Sequence, residues 1–293
     1  MNGVLIIDKP AGMTSHDVVN RVRRILGQKS VGHLGTLDPM ATGVLPVVTG
    51  TLTRLAQFYT KSEKAYEGEI RFGFATDTYD AEGEPLTEAQ TVTLDRNKIE
   101  ALAAQFRGLI DQVPPPFSAK KIHGVPAYKL ARKSQEVKLE PVRVEIKQLD
   151  LLEIEGDCAR FRSVVSSGTY LRSIAHEMGK KLGCGAHLAS LRRTAVAEFT
   201  LADSCTLERL AELAGPSDVE ALFVHPRKLL PGIPSVMADD MAVAMIRSGR
   251  SVNLPELSQA RLVKVFVGQR ELIAVATRIA GTLFHAGIVF VGS

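Results

Sequence analysis

The sequence has little cysteine and no long apolar run, and both scarcities limit the kind of protein it can encode. Of its 293 residues only three are cysteines, Cys158, Cys184 and Cys205, and they lie far apart. An odd, sparse set argues against a disulfide framework and favours a reducing compartment, so we expect the cytoplasm. No apolar stretch approaches the roughly 18 residues that span a bilayer. The run Val4–Ile7 is too short for the core of a signal peptide.

Motifs of the common metal and cofactor classes are incomplete. His176-Glu177 is followed by Lys180 where a zincin helix requires a second histidine. Cys184 and His187 have no second pair of ligands nearby, which a structural zinc site would need. The sequence contains neither a complete dinucleotide-binding glycine fingerprint nor a Walker A motif. We therefore predict an activity that uses no metal and no cofactor.

Positive charge is concentrated in one segment of a chain whose net charge is only +4. Six Lys or Arg residues and one acid lie between Pro114 and Lys138, with Phe117 and Tyr128 among them. A local basic patch on a nearly neutral body is typical of a protein that binds a polyanion. The alternative is an ordinary solvated face, since Lys and Arg are usually exposed.

The segment Gly32–Pro46 contains a single carboxylate, Asp38, among small, apolar and hydroxyl residues. Pro39 removes a backbone donor and favours an extended conformation at Asp38. The segment therefore presents one acid on a stiff loop between two apolar stretches. Two interpretations stay open on this loop alone, a catalytic carboxylate and a structural Asp-Pro turn.

Hydrophobic periodicity predicts an α+β chain, because paired strands alternate with separate helices. Helices are predicted at 15–26, 95–107, 169–182, 206–213 and 241–248. Strands are predicted at 4–7, 65–74, 142–154, 159–165, 188–199, 263–267, 272–277 and 287–291. The proline-rich stretch Pro226–Pro234 is the best candidate for a linker.

Several segments of the chain, in a fixed order, carry a known pattern. They are Asp8-Lys9-Pro10-Ala11-Gly12-Met13-Thr14-Ser15, the Asp38 loop, Lys64–Gly68 around Tyr66, Pro115–Arg132, Ser166–Ile174 around Arg172, and Ser190–Arg193. Together they resemble the TruB family of bacterial tRNA pseudouridine-55 synthases. One departure is Ser167, at a position where the family often has lysine, and it puts one phosphate contact in doubt.

The resemblance assigns roles that the residues alone do not. It implies that Asp38 is catalytic, that Arg172 pairs with it, and that Tyr66 is the active-site tyrosine. It also implies substrate contacts, which we expect at His33, Tyr170, Leu191, Lys9, Lys120, Lys121, Lys129 and Arg132. Without it, Tyr66 and Leu191 would be interpreted as core residues and Arg172 as a surface charge. Lys9 is further expected to support the active-site loop from behind.

The resemblance also implies a fold and a division of the chain. We expect the pseudouridine synthase fold, a mixed and largely antiparallel sheet with flanking helices, over residues 1–230. An RNA-gripping insertion is expected near 114–138, and a small PUA-like β domain that binds RNA over 231–293.

The function implied is the isomerisation of uridine 55 in the T arm of tRNA to pseudouridine. The base would be flipped out, the glycosidic bond broken with the help of Asp38, and C5 joined to C1′. Two alternatives are a tRNA-binding folding factor with secondary catalysis, and the guide-RNA-dependent relatives of archaea and eukaryotes. The intact set of Asp38, Tyr66 and Arg172 argues against the first. The gripping insertion, and the absence of the lysine-rich tail frequent in eukaryotic relatives, argue against the second. We expect a monomer with no obligate protein partner.

Overall fold

Two β-sheets and a set of short helices make up the computed structural model, which describes residues 1–118, 120–122, 124–127, 130, 139–213 and 216–290. Helices and strands are interspersed along the chain, so the predicted α+β class is confirmed.

The large sheet contains nine of the described strands, numbered in chain order and given with their residues at the end of this paragraph. Seven of them form a continuous path in the order β1-β3-β10-β4-β9-β8-β5, and β2 and β11 pair with β3 and β10 at its margin. Neighbouring strands run antiparallel, except β3 and β10, which run parallel to each other. The mixed, largely antiparallel sheet is therefore as expected. The strands are β1 Gly3–Lys9, β2 Val31–His33, β3 Thr42–Thr49, β4 Lys64–Phe72, β5 Gly108–Gln112, β8 Val142–Glu155, β9 Cys158–Val165, β10 Ala186–Val196 and β11 Phe199–Thr200. A hairpin of β6 (Lys121–Ile122) and β7 (Val125–Pro126) stands apart.

Helices flank this sheet and begin at recognisable caps. Thr14 caps the first helix in a capping box with Asp17, and Val18, Val19 and Val22 form its buried stripe. Asp95 caps the third helix, as the sequence predicts. The described helices are α1 Ser15–Ile25, α2 Ala56–Tyr59, α3 Arg96–Ala104, α4 Leu171–Leu182, α5 Leu207–Glu212, α6 Pro216–Glu220 and α7 Asp240–Arg247.

The second sheet is built only from residues after Pro234. Its strands are β12 Ser235–Met237, β13 Val252–Asn253, β14 Leu262–Val267, β15 Glu271–Ala280 and β16 Leu283–Val289. They lie in the order β12-β14-β15-β16-β13 across the sheet. Phe266, Leu272 and Phe290 from this part of the chain pack in one cluster with Val4 and Val44 of the large sheet. The two sheets therefore share a hydrophobic core.

Some predicted elements were displaced or missed. The last strand is Leu283–Val289 and not 287–291, and residue 291 lies outside the described residues. The strand Gly108–Gln112 was not predicted, because only one of its five residues is buried and alternation is weak. In the stretch Pro226–Pro234, which was predicted as a linker, Leu229 and Leu230 are buried in the hydrophobic cluster that both sheets share.

Among the described residues, no helix combines the length and the apolar character that crossing a membrane requires.

Candidate active site

The Asp38 loop joins β2 to β3, and hydrogen bonds hold its backbone on both sides of Asp38. The Ser15 hydroxyl, at the start of α1, accepts from Leu37 N at 2.8 Å and donates to Leu37 O at 3.1 Å. Gly12 N donates to Pro39 O at 2.9 Å. Hydrogen bonds from the first motif of the chain therefore fix the backbone on either side of the aspartate.

Lys9 supports the same loop from inside the protein. Its side chain is fully buried, and its ammonium group donates to the carbonyls of Pro10, Met13 and Pro39 at 2.8, 2.5 and 3.0 Å. Burial lowers its pKa to about 8. Lys9 lines neither of the two cavities described below, so in this structure it contacts the loop and not the space where a substrate would lie.

Asp38 forms an ion pair with Arg172, the second residue of α4, through two nitrogen–oxygen contacts. Arg172 Nε lies 2.9 Å from Asp38 Oδ2, and Nη2 lies 3.1 Å from Oδ1. The arginine side chain is 5% exposed and the aspartate 33%. One hydrogen bond, from Nη2 to Oδ1, and one close ionic contact, between Nε and Oδ2, thus hold the carboxylate beside the guanidinium while part of it stays open to a cavity.

Asp80 is a second acid that contacts the same arginine, and it was not predicted from the sequence. Its carboxylate lies 3.3 Å from Arg172 Nη1, and the carbonyl of Thr78 accepts from that nitrogen at 3.1 Å. Phe117 O accepts from Nη2 at 3.1 Å. In the sequence, Asp80 belongs to the polar stretch Thr76–Gly83, which is typical of a solvated loop, although the residue is only 3% exposed.

The charges around Asp38 act on its pKa in opposite directions. Burial raises the pKa of the Asp38 carboxyl, and the nearby Asp80 raises it further, while Arg172 lowers it. The net effect is a pKa above that of an ordinary aspartate. Such a carboxylate is more basic than a solvated one yet remains oriented by its arginine partner.

A cavity of about 120 Å³ brings together five residues that were predicted as site residues from separate parts of the sequence. They are Asp38, Tyr66, Tyr170, Arg172 and Leu191. Tyr66 lies on β4 and Leu191 on β10, which are hydrogen-bonded neighbours. The Gln112 side chain accepts from Tyr170 N at 2.8 Å and donates to Tyr170 O at 3.0 Å, which fixes the residue before α4.

A larger cavity of about 700 Å³ opens beside the first and shares Asp38 and Arg172 with it. His16, His33, Phe117 and Ser118 are among the residues that line it. His33, which was predicted as a substrate contact, therefore lines the same cavity as Asp38. Asp38 and Arg172 stand at the junction between a narrow cavity and a wide one.

Arg193 is the other important residue that the sequence did not reveal. It is fully buried on β10 and donates to the carbonyls of Val44, Thr36 and Gly35 at 2.8, 3.1 and 3.0 Å. It is also paired with Tyr66 across the β4–β10 ladder. Burial raises the pKa of the Tyr66 phenol, and the Arg193 guanidinium opposes that rise. The one sequence signal was its position two residues from Leu191, on the same face of a strand.

The predicted contacts in the basic segment are only partly described. Lys120 is exposed, and Lys121 lies in the short strand β6. Lys129 and Arg132 lie outside the described residues.

Similarity to known proteins agrees with this geometry. Residues 23–171 match the family described as "TruB family pseudouridylate synthase (N terminal domain)". Residues 172–224 match "tRNA pseudouridylate synthase B C-terminal domain". A curated tRNA pseudouridine synthase B from Solibacter usitatus is 50% identical over 99% of this chain and 100% of its own length. Another from Stutzerimonas stutzeri is 42% identical over 90% of this chain and 88% of its own.

Solved structures show the same fold. An H/ACA ribonucleoprotein bound to a substrate RNA containing 2'-deoxyuridine includes a chain with a TM-score of 0.72 and 26% identity. The match covers 99% of this chain and 85% of that one. A chain of an archaeal Nop10–Cbf5 complex gives a TM-score of 0.71 at 27% identity, covering 99% and 86%. Because the family match and the full-length identity both include the loop, the strands and the helix that build the site, the chain belongs to the TruB family of pseudouridylate synthases.

Proposed function

We propose that this protein converts uridine 55 in the T arm of tRNA to pseudouridine, acting without a cofactor. The observation that carries the proposal is the Asp38–Arg172 ion pair at the mouth of a narrow cavity walled by Tyr66 and Leu191. The names of its relatives support tRNA as the substrate class.

The two cavities suggest how the nucleotide is bound. The target base is stacked inside a folded loop, so it must be extruded before any group can reach its sugar. In our proposal the narrow cavity takes the flipped base and the wide cavity takes the neighbouring RNA. His33 and Phe117 line the wide cavity and offer ring faces on which a displaced base can stack. Lys120 and the rest of the basic segment provide contacts to phosphates.

The reaction is a rearrangement within one nucleotide. The N1–C1′ bond breaks, the uracil turns within the cavity, and a C5–C1′ bond forms. The proton leaves C5, and N1 gains one, so no oxidant, reductant or external acceptor is consumed. This balance is why the proposal requires no cofactor.

Asp38 supplies the reactive group. Arg172 holds the carboxylate ionised and aimed, while burial makes it more basic than a solvated aspartate. A carboxylate so placed can attack the base or the sugar as a nucleophile, or take a proton from the sugar. The geometry is compatible with each of these routes, because all three begin from an ionised Asp38 that faces the cavity.

Tyr66 and Leu191 hold the base between bond breaking and bond formation. Both are nearly buried and border the narrow cavity, so the free uracil contacts a ring and an aliphatic side chain. Since burial raises the pKa of the Tyr66 phenol, its hydroxyl stays protonated at neutral pH and can donate a hydrogen bond. In this proposal the protein acts as a monomer, with no obligate protein partner.

The first experiment is tritium release from tRNA labelled at C5 of uracil, comparing the wild-type protein with Asp38→Ala. The proposal expects wild-type release of one tritium per tRNA and none from the variant. A transcript with cytidine at position 55 is the matched substrate control and should release nothing above background.

Other outcomes separate the alternatives. Tight tRNA binding without release by the wild-type protein would favour the folding-factor hypothesis. Release by Asp38→Ala at the wild-type rate would show that another residue carries the chemistry. Release from the cytidine-55 transcript would place the modified uridine elsewhere in the tRNA.

A further inference from the structure

Tyr79 has an unusual backbone conformation beside the site. Its φ is +66°, and only two other non-glycine residues of the described chain, Ala197 and Leu230, also have positive φ. A bulky residue is rare in this left-handed region and persists only where its surroundings impose the conformation. The contacts that impose it on Tyr79 therefore indicate what the conformation achieves.

Backbone hydrogen bonds and one ring contact hold Tyr79. Its N–H donates to Thr76 O at 3.3 Å, and its carbonyl accepts from Leu188 N at 3.0 Å. Its ring lies flat on the imidazole of His176, with 3.7 Å between ring centroids and 15° between planes. His176 is on α4, one helical turn after Arg172. The ring of Tyr79 thus fastens its loop to the helix that carries the catalytic arginine partner.

The residues on either side of Tyr79, Thr78 and Asp80, both contact Arg172. Thr78 O accepts from Arg172 Nη1 at 3.1 Å, and the Asp80 carboxylate lies 3.3 Å from the same nitrogen. Asp80 is itself oriented, since the Thr78 hydroxyl donates to its Oδ1 at 2.6 Å and Glu82 N donates to it at 3.1 Å. A shift of Tyr79 would move both acceptors of Nη1 at once.

The stacked rings of Tyr79 and His176 lie outside the hydrophobic core. Both residues are partly exposed, and Tyr79 also lines a cavity of about 520 Å³ bordered by β5, α4 and the residues that follow α3. Within the described residues, the buried Nδ1 of His176 has no hydrogen-bond partner. The imidazole therefore contributes its ring face to this contact, and that nitrogen contributes no hydrogen bond.

We propose that Tyr79 and His176 are a positioning pair, which keeps Thr78 and Asp80 against Arg172 and so keeps Arg172 aimed at Asp38. The proposal rests on the function proposed above. Neither residue lines the two cavities beside Asp38, so in this proposal their effect is transmitted through Arg172. The pair is expected to influence turnover and to leave tRNA affinity unchanged.

Single-turnover and steady-state tritium release from the full-length protein test this. Tyr79→Gly and His176→Ala should each lower kcat about tenfold, with KM and the Kd for tRNA within about twofold of wild type. Tyr79→Phe and His176→Phe keep a ring in place and should restore kcat to within about threefold. Both single variants remove the same ring contact. The double variant Tyr79→Gly/His176→Ala should therefore be no slower than the slower of the two single variants.

Tyr79→Gly distinguishes positioning from a general loss of stability. Glycine adopts positive φ without strain, so this variant should unfold at or near the wild-type temperature while it loses turnover. Phe74→Leu is the matched control, since Phe74 packs on His187 at 4.6 Å between ring centroids and is not a contact of Arg172. It should leave kcat unchanged.

Three results would overturn the proposal: wild-type kcat for Tyr79→Gly, loss of turnover by Tyr79→Phe as large as that by Tyr79→Gly, or a rise in KM in place of a fall in kcat. The wild-type protein and Asp38→Ala are measured in the same series. Absence of release by the wild-type protein refutes the proposed function, whereas an active wild type with active stack variants refutes only the positioning pair.

Discussion

Asp80 is the residue whose replacement separates charge from shape at the site. Asp80→Asn keeps the side chain's size but removes one of the two negative charges on Arg172. Since a hydrogen bond to a charged group contributes roughly 1.5–3 kcal/mol, we expect kcat to fall about tenfold to a hundredfold. KM for tRNA should change less than kcat, because the lost charge acts on Arg172, whose guanidinium contacts Asp38. Steady-state kinetics with a purified transcript measure both constants.

Asp80→Asn should also shift the pH dependence of the rate in a defined direction. Asp80 raises the pKa of Asp38, so its neutralisation should lower that pKa and move the acid limb of the rate profile to lower pH. Single-turnover rates from pH 5 to pH 8 measure the limb. Asp77→Asn, in the same loop, is the control, because Asp77 accepts from Glu84 N and lies outside the Arg172 contacts. A limb that stays in place or moves upward would contradict the assigned electrostatics.

Asp38 is expected to lower the stability of the fold at neutral pH. Its pKa is raised in the folded protein, so its contribution to stability is most favourable below the ordinary carboxyl pKa and is lost as pH rises through the folded-state value. Asp38→Asn should therefore raise the midpoint of thermal unfolding at pH 7 while abolishing turnover. The gain should shrink on acidification towards pH 4. Calorimetry at the two pH values checks this, and a lower midpoint for the variant at pH 7 would contradict it.

At the scale of elements, the parallel contact between β3 and β10 sets the position of the Asp38 loop. Gly43 pairs with Arg193 there, with φ at +100°, and an added Cβ would lie 2.2 Å from Arg193 O. Gly43→Ala therefore combines a backbone clash with an unfavourable φ. We expect a loss of about 3 kcal/mol or more in the free energy of unfolding, and a large loss of turnover.

Gly156 provides a matched control for that prediction. It lies in the turn between β8 and β9 with φ at +59°, and a Cβ there would meet nothing within 4 Å. Gly156→Ala should cost only the conformational term of about 1–2 kcal/mol and leave turnover unchanged. Urea titrations of the two variants compare them. Equal losses would show that the β3–β10 approach is not tight.

What the sequence predicted and what it missed follow from the range of the interactions involved. The helix α1 and the long strands were predicted because capping and periodicity act within a few residues. Asp38, Tyr66 and Arg172 were found through motifs. Asp80 and Arg193 were missed because a charged residue in a polar loop or a strand is normally solvated. Their burial depends on partners about 90 to 160 residues away along the chain.

At the scale of the whole molecule, the two sheets are stabilised by one core. Phe266, Leu272 and Phe290 pack against Val4 of β1 and Val44 of β3, the strand that follows the Asp38 loop. Arg54 Nη1 also donates to Val289 O at 2.7 Å, and the Thr51 hydroxyl donates to Phe290 O. The second sheet therefore packs against the large sheet and stabilises it.

A substitution at Glu198 tests the association of the two sheets. Its Oε1 accepts from the Tyr59 hydroxyl at 2.5 Å and from Leu230 N at 2.9 Å, so it connects the β10–β11 turn and α2 to the chain entering the second sheet. Glu198→Ala leaves both donors without this acceptor and should cost about 2–3 kcal/mol in the free energy of unfolding. Glu198→Gln keeps an oxygen in place and should cost less than half as much. Because the core is continuous, calorimetry should show one transition that moves to lower temperature in the alanine variant. Two separated transitions, with only the smaller one shifted, would show that the sheets unfold independently and that the shared core contributes little to their association.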